Sequence, residues 1–154
     1  MEFSAHYKAP RQRVFDVFMD LESMADTLEG VTRVEVLTDG PVGKGTRWRE
    51  TRMIMGKERT EELAITEVRA PESYDVECDS CGCLMKCRFT FEEQDGGTTM
   101  RMTMQNEPYT LFARIVTPLM MPLMRKQMHK CMDKDFEDVR AVLENGAAVG
   151  DMSS

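Results

Sequence analysis

Four of the chain's five cysteines fall between Glu77 and Cys87, in the stretch ECDSCGCLMKC. Their spacing, C-x2-C-x-C-x3-C, is of the kind that holds zinc, an iron–sulfur cluster or disulfides. A second group with chemical capacity lies upstream: Glu50, Arg52 and Glu61 place a guanidinium near two carboxylates. Such a fork of donors binds an oxygen anion, enol or carbonyl, and with the phenol of Tyr74 it could move a proton or stabilise an enolate. The two histidines, His6 and His129, are far from both groups in sequence. No nucleophile elbow, phosphate loop or zinc-protease helix is present.

Whether these residues meet depends on the strands that carry them. From Val31 to Asn106 turn signals (TDGPVGKG, MGKE, RAPES, SCGC and DGG) separate strand-like runs, which predicts six antiparallel strands joined by hairpins. A type I′ turn centred on Asp95-Gly96 sets Phe91 opposite Met100, Phe89 opposite Met102 and Cys87 opposite Met104. Centring the preceding hairpin on Cys81-Gly82 sets Tyr74 against Phe89, Val76 against Cys87 and Cys78 against Met85. It also matches Asp75 with Arg88 and Glu77 with Lys86 on the other face. Both registers point strand 84–94 the same way. Cys87 then sits on the inner face about 13 Å from Cys83, whereas a zinc ion needs every sulfur about 2.3 Å away. At most Cys78, Cys81 and Cys83 could approach one another. The pattern reads as a hairpin with buried thiols, with no metal and no cofactor.

Strand 46–55 puts Thr46, Trp48, Glu50, Arg52 and Ile54 on one face, taken as the inner one. A turn at Gly56-Lys57 would oppose Arg52 to Glu61, Glu50 to Leu63 and Trp48 to Ile65, so that both carboxylates balance Arg52. Ahead of these strands, Glu2–Tyr7 alternates as a strand. Two short helices follow it, in APRQRVFDVFMD and LESMADTLEG. Beyond Asn106 apolar residues keep helical spacing from Phe112 to Leu143, which predicts a short helix or turn before Pro118 and one long helix after it. The domain is expected to span 1–146, with 147–154 a disordered tail.

Composition narrows the function. A net charge of −7 argues against nucleic acid and against docking on anionic membranes. No apolar run is long enough to span a bilayer. An odd cysteine count without a signal peptide points to reduced thiols and a cytoplasmic location. Fifteen methionines against seven phenylalanines suggest adaptable apolar space. Met85, Met100, Met102 and Met104 on the sheet would face Met120, Met124, Met128 and Met132 on the helix.

In the order of these elements the chain resembles the START-domain-like (SRPBCC) helix-grip superfamily, in its polyketide cyclase/dehydrase and lipid-transport branch. The stretches that carry the resemblance are FSAHYKAPRQRVFDVFMDLE, GVTRVEVLTDGPVGKGTRWRE, ITEVRAPESYDV, FTFEEQDGGTTMRM and the closing helix. It implies an α+β fold, a curved antiparallel sheet wrapped around a long C-terminal helix, with a hydrophobic cavity between them. The expected cavity residues are Trp48, Glu50, Arg52, Glu61, Leu63, Ile65, Tyr74, Val76, Phe89, Met102, Met104, Met124 and Met128. Three functions fit. One is binding or carriage of a small apolar molecule such as a lipid or polyketide, without catalysis. Another is a polyketide cyclase or dehydratase. The third is a protein-interaction module or chaperone activator, with a partner or a second copy docking on the methionine-rich segment VTPLMMPLMRKQM.

Overall fold

The structure, a computed structural model, describes residues 1–153 apart from Met55 and Cys81, with side chains as far as Glu144. The expected tail at 147–154 therefore lies outside the residues described in full. Strand β1 (Glu2–Tyr7) leads into helices α1 (Arg11–Met19) and α2 (Met24–Thr27). Six strands follow: β2 (Val31–Val36), β3 (Arg47–Ile54), β4 (Lys57–Arg69), β5 (Ser73–Ser80), β6 (Cys83–Gln94) and β7 (Gly97–Pro108). Helix α3 (Leu111–Ser153) ends the chain.

All seven strands form one antiparallel sheet in the order β1-β7-β6-β5-β4-β3-β2. The sheet curves around α3, and α1 and α2 follow its first strand. Its last two hairpins have the registers read from the sequence. Phe89 pairs with Met102 and Cys87 with Met104 across β6–β7. Tyr74 pairs with Phe89 and Val76 with Cys87 across β5–β6. At the β6–β7 turn Asp95 and Gly96 adopt φ of 51° and 76°, the left-handed pair that a type I′ turn requires. On the outer face Arg88 donates two hydrogen bonds to Asp75, at 2.8 and 3.0 Å, as the cross-strand charge match implies.

The core is where the concave face meets the C-terminal half of α3. Met100, Met102, Met104 and Phe91 pack with Phe3, Tyr7, Phe136, Val139 and Leu143. The Tyr7 hydroxyl donates to the Phe136 carbonyl at 3.1 Å, which ties β1 to the helix while keeping a buried polar group satisfied. Phe15 and Phe18 of α1 extend the packing through edge contacts to Tyr74 and Phe91.

The closing helix departs from the sequence expectation. It runs unbroken through Pro118 and Pro122, with no separate short helix before Pro118. Both prolines are solvent-exposed, so the carbonyls they leave without a donor, those of Arg114 and Pro118, can turn to water. Thr110 starts the helix, its hydroxyl accepting from the Ala113 N–H at 3.1 Å. Nearest the sheet, Met128 and Met132 pack against the core. Met120 and Met124, expected to face the sheet methionines, are 43% and 46% exposed.

Candidate functional site

The concave wall is built from alternate residues of β3, β4, β5 and β6. On β3 Trp48 is buried and Glu50 and Arg52 are half-buried, while Arg47, Arg49 and Met53 face solvent; Thr51 breaks the alternation, buried on the other face with its hydroxyl 2.8 Å from that of Thr60. Trp48 stands opposite Leu63, and Ile65, Val76 and Met104 continue the apolar surface across the sheet. Tyr74 lies deeper, its ring stacked on Phe89 with centroids 4.7 Å apart.

The β3–β4 register differs by two residues from the one expected. Ile54 pairs with Lys57, so Glu50 stands opposite Glu61, Arg52 opposite Arg59 and Trp48 opposite Leu63. Gly56, with φ of 78°, lies before Lys57 rather than sharing the turn with it, because the glycine supplies the positive φ at the end of the connection. A two-residue slip keeps every side chain on its face, so the inner face survives while its charge partners change. Arg52 bonds Glu50 at 2.5 Å through Nε and Asp135 of α3 at 2.8 Å through Nη1. Glu61 instead accepts from the Ser80 hydroxyl at 2.9 Å and lies 3.8 Å from the Cys78 thiol.

Asp135 is the member that sequence reasoning missed. It occupies the same helical stripe as Met128, Met132 and Val139, and a carboxylate on the apolar face of a long amphipathic helix was the available signal. Burial pushes its carboxyl above the usual aspartate range, and Arg52 only partly offsets this. For Arg52 burial acts to lower the pKa, but Glu50 and Asp135 outweigh it and the guanidinium stays charged. The Arg52–Asp135 contact is thus a polar clasp between sheet and helix, beside Gly30.

Two polar atoms on this wall are left over. The indole Nε1 of Trp48 is buried with no hydrogen-bond partner among the described residues, in a side chain only 4% exposed. The Tyr74 hydroxyl makes no hydrogen bond among them either, and burial, reinforced by Cys87 and Glu50, holds its proton well above the usual phenol range. The Trp48 N–H is a buried donor on an apolar wall, and a donor in such a place recognises an acceptor oxygen.

Among the described residues Cys78, Cys83, Cys87 and Cys131 are free thiols. Cys87 is buried mid-strand between Val76 and Met104, and burial pushes its thiol up to about 12. Burial and the nearby Glu61 do the same for Cys78, also to about 12. Neither is a thiolate at neutral pH, and a thiolate is what metal binding or nucleophilic attack requires. No metal-like cluster of His, Cys, Asp or Glu exists among the described residues; any arrangement involving Cys81 lies outside them. His6 is bonded to Thr99, and His129 packs its ring on Phe3. A surface cleft lined by Lys8, Arg11, Glu93 and Asp95 lies at the β6–β7 turn, away from the concave wall.

The family model for polyketide cyclase/dehydrase and lipid transport matches residues 1–144. No curated protein matches the chain. Among solved structures it is similar to TTHA0849 from Thermus thermophilus, with a TM-score of 0.77 and 19% identity over 95% of this chain and 97% of that one. It is similar to a START superfamily protein from Mycobacterium smegmatis at a TM-score of 0.74 and 11% identity, over 94% and 97% of the two chains. The di-domain ARO/CYC BexL from the BE-7585A biosynthetic pathway gives a TM-score of 0.78 at 16% identity, over 94% of this chain but 49% of that one. At these identities the likeness is one of fold.

Proposed function

Since the chain belongs to the polyketide cyclase/dehydrase and lipid transport family, we propose that it binds and carries a small hydrophobic molecule with an acceptor oxygen. The ligand would lie between the concave wall and α3, in a cytoplasmic protein. The observation that carries this reading is the orphaned Trp48 Nε1. A buried donor without a partner costs about 1–3 kcal/mol, and a carbonyl, enol or phenol oxygen placed there would recover it. Leu63, Ile65, Val76 and Met104 would take the apolar body, and methionine lets the wall adapt to ligands of different shape.

The test is calorimetric titration with two probes of similar shape, 2-acetylnaphthalene and 2-ethylnaphthalene, against the wild-type chain and Trp48→Phe. Phenylalanine keeps an aromatic body and removes the N–H. The ketone should lose roughly tenfold in affinity, the scale of one buried hydrogen bond, while the hydrocarbon changes little. If neither probe binds the wild-type chain, the carrier reading fails. Equal losses for both would place the effect in packing and reject the hydrogen bond.

A cyclase or dehydratase reading is favoured by one feature, the protonated Tyr74 hydroxyl on the same wall. Such a group donates to a developing enolate rather than abstracting a proton. Turnover of a linear poly-β-ketone that is lost in Tyr74→Phe would support it over simple carriage.

A further inference from the structure

The outer side of α3 carries a feature that ligand binding does not use. Phe112, Ile115, Leu119 and Leu123 recur at helical spacing and are 74%, 59%, 78% and 51% exposed. The same spacing continues into Lys126 and Lys130, both exposed. One face of the helix therefore reads apolar for three turns and basic for the next, over about 27 Å. Between Tyr109 and Met132 the chain has Arg114, Arg125, Lys126 and Lys130 and no acidic residue, although the whole chain carries −7. Chain-wide charge, which speaks against anionic surfaces, is the wrong guide to this segment.

We propose that the N-terminal half of α3 is a docking face for an anionic lipid bilayer, lying in the interface with its apolar ridge among the acyl chains and Lys126 and Lys130 at the phosphates. The ridge is convex, four side chains on one helix, and offers no groove to a protein partner. Lysine is depleted from protein–protein interfaces, whereas a basic, apolar helix face suits headgroups with hydrocarbon beneath them. Docking of this kind is peripheral: no helix among the described residues is long and apolar enough to cross a membrane. The opposite side of the same helix turns Met128 toward the core, so a docked α3 would bring the proposed ligand space next to the bilayer.

The experiment is cosedimentation with vesicles of phosphatidylcholine alone and of phosphatidylcholine with about one-third phosphatidylserine. The wild-type chain should bind the anionic vesicles, and added salt should weaken it. Lys126→Glu with Lys130→Glu should reduce that binding at least about 25-fold, roughly fivefold for each charge lost. A control pair at remote exposed sites, Lys44→Glu with Lys57→Glu, should change it much less. Leu119→Glu with Leu123→Glu should reduce it by at least about tenfold. These sites are exposed, so thermal unfolding should be unchanged and binding of 2-acetylnaphthalene from solution should persist, which separates this proposal from the ligand reading. Absence of binding to anionic vesicles would overturn it, as would equal losses in the ridge, lysine and control variants. So would a concentration-dependent dimer, seen by light scattering and dissolved by the leucine variants, in a chain that ignores vesicles.

Discussion

Replacing Arg52 with methionine should destabilise this protein heavily, although the side chain lies at the wall of a ligand site. Its guanidinium is shared by Glu50 and Asp135, whose side chains are 11% and 9% exposed. Removing it leaves two carboxylates in a poorly solvated place without a cation, which costs about 3–5 kcal/mol. That would be a large part of the stability of a domain of this size. The sign with pH follows from Asp135, whose carboxyl burial already raises above 3.8. With Arg52 gone it should rise further. A carboxyl with a raised native pKa penalises folding most when ionised, so the defect should be greatest near pH 7 and shrink on acidification toward the native pKa. Urea unfolding followed by Trp48 fluorescence at pH 7 and pH 5 measures this. Asp135→Asn in the Arg52→Met background should recover part of the loss, and the double-mutant cycle gives the coupling. If Arg52→Met changed stability by less than about 0.5 kcal/mol, the clasp between β3 and α3 would be wrong.

Other outcomes follow from single contacts. Cys87 should resist alkylation in the folded protein and react on unfolding, and because its thiol is raised from 9.0 to about 12, stability should fall as pH rises between those values; rapid labelling of Cys87 at pH 8 in the native state would contradict this. Asp75 is held below 3.8, first by hydrogen bonds from Arg88, so its contribution is present above that value and lost as pH falls through the native pKa. Arg88→Met should flatten the acid limb of the stability curve slightly, by under about 1 kcal/mol since the pair is exposed. Gly97→Ala would place a methyl 2.3 Å from the Tyr7 carbonyl oxygen, so β1 must shift off β7, and a loss of roughly 1–3 kcal/mol in denaturant unfolding is expected.

What the sequence alone determined was local and periodic. Alternation named the strands, Asp95-Gly96 fixed the last hairpin, and the inner face of β3 was right because side-chain direction has a period of two. That same period hid the error in the β3–β4 register, since a slip of two residues returns every side chain to its face and exchanges only its cross-strand partner. Pro118 and Pro122 read as a break because a missing N–H is a local signal, whereas its cost depends on whether the freed carbonyls reach water. Only the tertiary structure decided that. It also decided that Arg52 pairs with Asp135 rather than Glu61, and that Trp48 Nε1 has no partner among the described residues. Asp135 lies 83 positions along the chain from Arg52, and no periodicity links them. They meet because the sheet curls until β3 faces the middle of α3, where a half-buried guanidinium and a buried carboxylate are stable only if each finds the other.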